Sequence, residues 1–365
     1  MHKQILNLIE PTLYDQTGHS YGYVLSLITA NKDFNFNIRV WLDRRGENLL
    51  QNTSAKAQVY FFRPLRQLQK LFLYLKLLRK PEIIFISTTE LWDLKILAFY
   101  TRYFAAKAKV VLHFHQFKQT KSKLAALRSL APKARNFTIL TPTDRLTNIF
   151  KTNGFNCKTV PCPVFSAPRD ISNSTAKFSK ILYAGAARRD KGFPTVINLL
   201  QHFRTQQNNT TFEIQVSAPN SQRYDESTQQ ALQLLQTIPS ENLILHKTTL
   251  DQSQYLDLFN NSICLLLYDK NDYSDKFSGV ALDAFYAGCP IITVKNTWMG
   301  DMAEKYHAGI ALENYDNASI QQAAERIINN YEQYHNNAKK AALELSAAHD
   351  PINTLASIEG MYHDK

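Results

Sequence analysis

Short apolar runs that alternate with helix-like patterns are the feature that most restricts how this chain folds. In the first half, apolar runs bounded by turn residues recur at 3–11, 36–42, 57–62, 82–87, 109–114 and 137–142. Helical spacing of apolar residues occupies 23–31, 65–80 and 144–154. Strands separated by helices favour parallel βαβ units. The first half is therefore predicted to be a Rossmann-like α/β domain.

A second series of the same kind begins at residue 180. Strands are predicted at 180–186, 211–218, 242–247, 262–268 and 290–294, and helices at 191–203, 252–261, 279–288 and 319–348. A chain of 365 residues is also long for one core. The predicted organisation is a domain over 1–165, a polar linker over 166–179, a second domain over 180–345, and a tail, 346–365, that could cross back to the first.

The composition excludes several classes of protein. A hydrophobic fraction of 44% and an aromatic fraction of 12% are typical of a folded globular chain. Glu10 and Pro11 come too early for a signal peptide, and no run approaches the ~20 apolar residues of a membrane span. Four cysteines in so long a chain indicate reduced thiols in the cytoplasm. Cys157 and Cys162 have no His or Cys neighbours at zinc-site spacing, so no metal site is expected.

Charge divides the chain unevenly. Residues 1–165 contain 25 Lys and Arg against 9 Asp and Glu, a balance of +16, whereas residues 166–365 contain 17 against 22, a balance of −5. This asymmetry suggests an anionic partner for the first half, the alternative being a solvated basic face. Nucleic acid is not expected to be that partner, because no recognised binding motif for it is present.

The loop AGAARRDKG, residues 184–192, follows the first strand of the second half. Gly185 allows a close turn, and Arg188, Arg189 and Lys191 place cations near the start of the next helix. Helix N-termini favour anions, and these side chains add direct charge pairing. A phosphate or diphosphate is the natural ligand. The alternative is a solvated basic turn.

Two carboxylates flank a second predicted helix start, in SDKFSGVALDAFYAGCPII (274–292). Backbone N–H groups near Ser278 and Gly279 could receive phosphate oxygens. Asp283 would repel phosphate but suits a pair of ribose hydroxyls, and Asp275 could accept from a second sugar. Alternatively, Asp283 complements the helix dipole and Asp275 is a solvated loop charge.

Three segments together resemble one known family. LDAFYAGCPIIT, with seven residues between Asp275 and Asp283, resembles the C-terminal signature of the family 4 retaining glycosyltransferases of the GT-B fold, also called glycosyl transferases group 1. LYAGAARRDKGFPTVINLL resembles their glycine–lysine loop, with Gly185 and Lys191 in place. MGDMAEKYHAGIAL resembles a further segment. The resemblance covers about 180–330 and implies two Rossmann-like domains facing each other across a cleft.

The sequence departs from the family pattern in two respects. Asp stands at 275 and 283 where the family usually has Glu, and Ala186 stands where it usually has an Arg. Arg188 or Arg189 could replace that arginine. If neither reaches the diphosphate, a catalytically weak binding subunit is the alternative. A sugar-nucleotide epimerase of similar shape is a further alternative, which the matched segments disfavour.

The resemblance also implies roles for the matched residues. Lys191, with Arg188 or Arg189, would neutralise the departing diphosphate. Asp283 would bind the ribose and Asp275 the transferred sugar. Backbone N–H groups of the segment 277–279 (Phe277, Ser278 and Gly279) would contact sugar and phosphate. No obligatory metal or other cofactor is implied, and the chain has no Asp-x-Asp triplet of the metal-dependent kind.

The resemblance places two further features of the first half near the donor. In KVVLHFHQF, His115 follows the strand end where the family keeps a histidine beside the reaction centre, with His113 as the runner-up. Both point the same way, because strand side chains alternate. A histidine that merely completes a strand end is the alternative. Gly18 and Gly22 flank a loop expected to close under the donor.

Three segments mix basic and apolar residues, at 65–81, 94–109 and 117–135. Such helices can lie on anionic membranes, although their apolar faces could equally cover the sheet. The combined expectation is a cytoplasmic hexosyltransferase-type enzyme, peripheral on the inner membrane, that uses a nucleotide sugar. Its acceptor is expected to be a lipid-linked or polysaccharide glycan of the cell surface, such as lipopolysaccharide, capsule or exopolysaccharide.

Overall fold

A computed structural model describes residues 3–16, 19–164, 176–216 and 224–363. Gly18 and residues 166–175, most of the expected linker, lie outside the described residues. The chain divides into two compact units. The first is Met1–Phe165 together with Ala348–Lys365, and the second is Ser166–Ala347. The C-terminal segment therefore belongs to the first unit.

The first unit is built on a seven-stranded sheet of the described residues, with every neighbouring pair parallel. Its strands are β1 (Gln4–Ile9), β2 (Phe36–Asp43), β3 (Lys56–Phe61), β4 (Ile83–Ile86), β5 (Lys109–His113), β6 (Phe137–Thr141) and β7 (Cys157–Thr159). Its helices are α1 (His19–Ala30), α2 (Arg66–Leu78), α3 (Leu91–Tyr103), α4 (Lys121–Leu130), α5 (Asp144–Thr152) and, at the end of the chain, α14 (Pro351–His363), which packs on α1.

The second unit contains a six-stranded sheet of the described residues, also parallel. Its strands are β8 (Lys180–Tyr183), β9 (Thr211–Gln215), β10 (Leu243–His246), β11 (Ser262–Leu266), β12 (Ile291–Val294) and β13 (Gly309–Leu312). Its helices are α6 (Phe193–Thr205), α7 (Glu226–Thr237), α8 (Gln252–Asp257), α9 (Lys270–Tyr273), α10 (Gly279–Tyr286), α11 (Trp298–Tyr306), α12 (Asn317–Asn329) and α13 (Tyr331–Ala348).

Both sheets reverse their strand order at one internal position. The first runs β3-β2-β1-β4-β5-β6-β7 and the second β10-β9-β8-β11-β12-β13. The reversal falls between β1 and β4 in the first unit and between β8 and β11 in the second. Ligands of open α/β sheets bind beyond the carboxyl ends of the strands at this point. The predicted α/β fold with two Rossmann-like sheets is confirmed, and the topology marks one edge in each unit as the place to look for a site.

Burial explains why the central strands read as continuous apolar runs. All four residues of β4 and all four of β12 are buried, as expected for parallel strands covered by helices on both faces. The short strands β7 and β13 were not predicted, because three or four residues carry little periodic signal. The helix predicted over 319–348 is two helices, α12 and α13, that break at Asn330.

Candidate active site

The loop after β8 is locked against the strand that neighbours it in the sheet. Gly192 ends a 3₁₀ turn, Arg189–Lys191, and adopts φ +76° at the start of α6. A Cβ on Gly192 would lie 2.2 Å from the carbonyl oxygen of Leu267, so only glycine fits. The backbone N–H of Asp269 donates to the carbonyl of Asp190 at 3.0 Å. These contacts hold the basic loop at the strand-order reversal of the second unit.

Lys191 places its ammonium group over Gly185, which has φ +101°. A Cβ on Gly185 would come within 3.4 Å of Lys191 Nζ, and that nitrogen lies 5.6 Å from the centre of the Tyr268 ring. Burial lowers the pKa of Lys191, and the positive charge of Arg188 lowers it further. A bound anion would offset both effects.

The two loop arginines are each engaged by a carboxylate. Arg188 forms an ion pair with Asp190, and this pairing raises the pKa of Arg188. Arg189 is 69% exposed, with its Nε 3.5 Å from Asp225 Oδ2. Both guanidinium charges are therefore partly compensated by carboxylates within the protein.

Helix α10 presents an accessible N-terminus next to this loop. Ser278 caps it, its Oγ accepting from the N–H of Ala281 at 3.3 Å. Gly279 is exposed, and a Cβ there would meet nothing within 4 Å, whereas a Cβ on Gly185 would lie 3.6 Å from Val280 Cγ2. The helix start and the glycine–lysine loop therefore lie next to each other, and a helix N-terminus and a lysine both favour anions.

The residues just before the α10 cap are held by packing. The ring of Phe277 stacks edge-on against Trp298, with 5.0 Å between centroids. Asp275 is only 6% exposed. Asp275 is therefore buried, in contrast to the solvated loop charge that was the alternative.

Asp283 lies in the second turn of α10, one turn beyond the helix start. Tyr255 on α8 donates its hydroxyl to Asp283 Oδ2 at 3.1 Å. Burial raises the pKa of Asp283 to about 6, against a lowering by that hydrogen bond. Gly185 lies between Lys191 and this helix, because a Cβ there would be 3.4 Å from Lys191 Nζ and 3.6 Å from Cγ2 of Val280 on α10. The structure therefore brings Lys191 and Asp283 to the same edge of the sheet.

In the first unit, the two predicted histidines come together at the end of β5. His113 is fully buried, and its Nδ1 lies 2.5 Å from the hydroxyl of Tyr23. His115 is half-buried, and its ring centroid is 4.8 Å from that of His113. The thiol of Cys162 joins them, and one potential ligand atom from each of the three residues lies within 4.8 Å of the others. Sequence spacing gave no sign of this cluster.

A buried carboxylate marks the strand-order reversal of the first unit. Glu10, 1% exposed, follows β1, and Ser87 and Thr88 follow β4. Both hydroxyls donate to Glu10 Oε2, at 2.7 and 2.6 Å, and Thr12 donates to Oε1 through its N–H and its hydroxyl. Four donors satisfy this carboxylate internally, so it fixes the loops that leave the two strands.

Sequence reasoning missed several residues that shape these edges. Gln215, the last residue of β9, accepts from the N–H of Gly185 at 2.7 Å. Gln215 and Glu10 could have been found from the sequence, because each is a polar residue at the carboxyl end of a predicted strand. Tyr23, Tyr255 and Cys162 carried no such signal, because each reaches its partner across a long stretch of chain.

Comparison with known proteins identifies the class. Residues 166–344 match the model of the family Glycosyl transferases group 1. The match covers nearly all of the second unit, which is therefore similar to glycosyl transferases group 1 domains. No match to a curated protein was found.

Solved structures share the fold over nearly the whole chain. HepE of Anabaena, in complex with UDP, has a TM-score of 0.71 at 16% identity, covering 99% of this chain and 100% of the other. Sucrose-phosphate synthase of Thermosynechococcus elongatus has a TM-score of 0.70 at 12% identity, covering 98% of each chain. A glycosyltransferase of Rickettsia africae has a TM-score of 0.74 at 10% identity, covering 100% of each. The predicted GT-B fold is confirmed, and the fold and the family match together support the predicted hexosyltransferase-type glycosyltransferase.

Proposed function

We propose that this protein is a retaining glycosyltransferase that moves a sugar from a nucleotide diphosphate sugar to a lipid-linked or polysaccharide acceptor. The product would belong to a surface glycan such as lipopolysaccharide, capsule or exopolysaccharide. The observation that carries the donor assignment is the position of Lys191 Nζ over Gly185, beside the open start of α10. HepE of Anabaena, which shares the fold, was solved with UDP and with UDP-glucose.

Charge explains how this arrangement would act. Breaking the sugar–phosphate bond builds negative charge on the departing diphosphate. The ammonium of Lys191 and the N–H groups at the start of α10 are fixed in place before that charge appears, so they stabilise it without rearrangement. Asp283, ionised above about pH 6, would accept from the two ribose hydroxyls. Asp275 would bind the transferred sugar, and a histidine of the β5 end, His115 or His113, would contact it.

A thermal-shift comparison of UDP, GDP, ADP and CDP tests the donor class. A nucleotide that binds the folded state raises the unfolding temperature by mass action. We expect one of the four to raise it more than the others in the wild type and to lose that effect in Lys191→Ala. Lys295→Ala, which removes a half-exposed lysine near Glu304, is the matched control. Equal shifts in wild type and Lys191→Ala would contradict the proposal.

A binding subunit without turnover is the second candidate. Two observations favour it. Ala186 stands where the family usually has an arginine, and Arg188, which could replace that arginine, forms an ion pair with Asp190 instead. An assay for hydrolysis distinguishes the enzyme from the binding subunit. Its substrate is the glucose ester of whichever nucleotide stabilises the protein, for example UDP-glucose. Turnover by wild type that falls in Asp275→Ala supports the enzyme. Binding without turnover, even with lipid and glycan extracts, supports the subunit.

We also propose that the first unit docks on an anionic membrane, which would bring a lipid-linked acceptor to it. Helices α2 and α3 pack side by side and expose large apolar side chains, with Phe72 70% and Tyr103 60% exposed. Leu68 and Phe99 extend this surface. Phe99 and Tyr103 contact each other, with 4.9 Å between their ring centroids. Groups of exposed apolar side chains are typical of protein or membrane interaction sites.

Basic residues border the same surface. Lys76, Lys95 and Arg102 are exposed, and the Arg79 guanidinium lies 6.0 Å from the centre of the Phe104 ring. Lys70, which the sequence suggested for this face, is instead buried in an ion pair with Asp93 at 2.8 Å. Each cation at an anionic bilayer is worth about 1 kcal/mol. Among the described residues, no helix is both long and apolar enough to cross a bilayer.

Flotation with liposomes tests this surface. We expect the wild type to float with vesicles that contain anionic lipid, less so as salt rises, and not with purely zwitterionic vesicles. Phe72→Ser should weaken flotation. Leu343→Ser, which removes a side chain that is 68% exposed on α13 of the second unit, should not. Flotation that is absent, or unaffected by Phe72→Ser, would contradict membrane docking.

A further inference from the structure

The cluster at the end of β5 has the chemistry of a divalent-metal site. It comprises two imidazoles, His113 and His115, and the thiol of Cys162, with one potential ligand atom from each lying within 4.8 Å of the others. Imidazole nitrogen and thiolate sulfur are the ligands that Zn²⁺ prefers. From this geometry we propose that His113, His115 and Cys162 bind one Zn²⁺ ion.

The distances fit a site that closes slightly when the ion binds. Zn–N bonds of about 2.0–2.1 Å and Zn–S bonds of about 2.3 Å place the ligand atoms of a tetrahedral ion roughly 3.3–3.8 Å apart. The largest separation in the cluster, 4.8 Å, therefore needs to contract by about 1 Å. Half-buried His115 is on the accessible side, whereas His113 and Cys162 are buried.

Neighbouring groups already hold two of the ligands in place. The Tyr23 hydroxyl contacts His113 Nδ1 at 2.5 Å, so coordination would use Nε2 of that ring. The carbonyl oxygen of Cys162 contacts His349 Nδ1 at 2.7 Å, and the N–H of Val164 donates to the carbonyl of His349. Partners of this kind orient metal ligands and tighten binding.

The binding step is a ligand exchange without a redox change. The Cys162 thiol loses its proton to solvent as the sulfur bonds to the ion, and waters leave the ion as the two imidazoles bind. Three protein ligands leave a fourth position for water or another oxygen ligand, as in zinc sites that are not purely structural. Zinc would engage the same two histidines, one of which the proposed function places against the transferred sugar. The two proposals are nevertheless tested separately, because metal binding is measured without any sugar nucleotide.

Titration of the full-length protein with Co²⁺ tests this site, because a bond from Co²⁺ to thiolate produces a charge-transfer absorption band. We expect the wild type to give the band with one Co²⁺ per chain and to release that Co²⁺ when Zn²⁺ is added. Cys162→Ser should abolish the band. Cys157→Ser removes a second buried thiol of the same unit, on β7, and should leave the band intact.

Two further variants make the test robust to misfolding. His115→Gln changes a half-buried side chain and should weaken Co²⁺ binding at least tenfold while the circular dichroism spectrum is unchanged. Tyr23→Phe keeps the ring packing but removes the contact to His113, and should weaken binding about tenfold. No band in the wild type, or a band that persists in Cys162→Ser, would overturn the proposal.

Discussion

The carboxyl edges of the two sheets share a topology but treat their charged groups differently. In the first unit, Glu10 is buried and receives four hydrogen bonds from Thr12, Ser87 and Thr88. In the second, burial shifts the pKa values of both Lys191 and Asp283 toward the neutral forms. The protein itself satisfies the charge at the first edge, whereas the proposed nucleotide sugar would satisfy the charges at the second. A carboxylate that is saturated by internal hydrogen bonds is expected to be structural. Buried charged groups with few internal partners are candidates for ligand binding.

Removing the ammonium group of Lys191 should have the largest effect. We expect Lys191→Ala to lower the rate of UDP-glucose hydrolysis by roughly 10²–10³, because one preorganised donor to a developing anion is worth about 3–4 kcal/mol. Steady-state kinetics measure this, with Lys295→Ala as the control. A Lys191→Ala rate within a factor of three of wild type would break the contrast between the two edges.

Glu10→Gln should mainly affect stability. The amide cannot accept from donors on both of its sides, so some of the Ser87, Thr88 and Thr12 donors lose their partner. We expect the free energy of unfolding to fall by about 3 kcal/mol, because hydrogen bonds to charged groups contribute about 1.5–3 kcal/mol each. Denaturant titration measures the loss, and exposed Glu47→Gln should change little. A stable Glu10→Gln variant would show that the first edge is not saturated.

Asp283→Asn should instead raise the free energy of unfolding. The folded-state pKa of Asp283, about 6, is above its ordinary value of 3.8, so the carboxyl favours the folded state most below about pH 4. That contribution is lost as the pH rises through 6. We therefore expect Asp283→Asn to raise the free energy of unfolding by about 2 kcal/mol at pH 8, with no gain at pH 4. A destabilised variant at pH 8 would contradict the account of this carboxyl.

The same variant should weaken nucleotide binding, because the amide offers the ribose one acceptor oxygen in place of two. Gaining stability while losing affinity is the signature of a group placed for a ligand. Calorimetric titration with UDP at pH 8 checks this second half of the prediction. Unchanged affinity would separate Asp283 from the ribose.

Much of the fold could be predicted from the alternation of apolar runs and helical spacing, since that pattern is local. The glycine–lysine loop was predictable for the same reason, because Gly185, Lys191 and Gly192 lie within eight residues. The tyrosine that holds Asp283 and the thiol beside the histidines could not be, because those contacts join distant segments. The expected position of Lys70 was wrong. Its charge suggested an exposed face, but the matching carboxylate of Asp93 is supplied by a neighbouring helix.

Tyr255→Phe should give the smallest effect. Its hydroxyl lowers the pKa of Asp283 against the effect of burial, so its loss should raise that pKa above about 6. The pH below which UDP affinity declines should then move upward by less than about one unit. Titrations across pH 5–8 measure the shift, with Tyr315→Phe as the control. A downward shift would contradict the assigned hydrogen bond.

Calorimetric titration of the nucleoside diphosphate that gives the largest thermal shift, into wild type and Lys191→Ala at pH 7.5, tests most directly whether the edge of the second unit binds a diphosphate. We predict saturable binding with one site per chain in the wild type, at least tenfold weaker binding in Lys191→Ala, and wild-type affinity in Lys295→Ala. Equal affinities in wild type and Lys191→Ala would contradict the account.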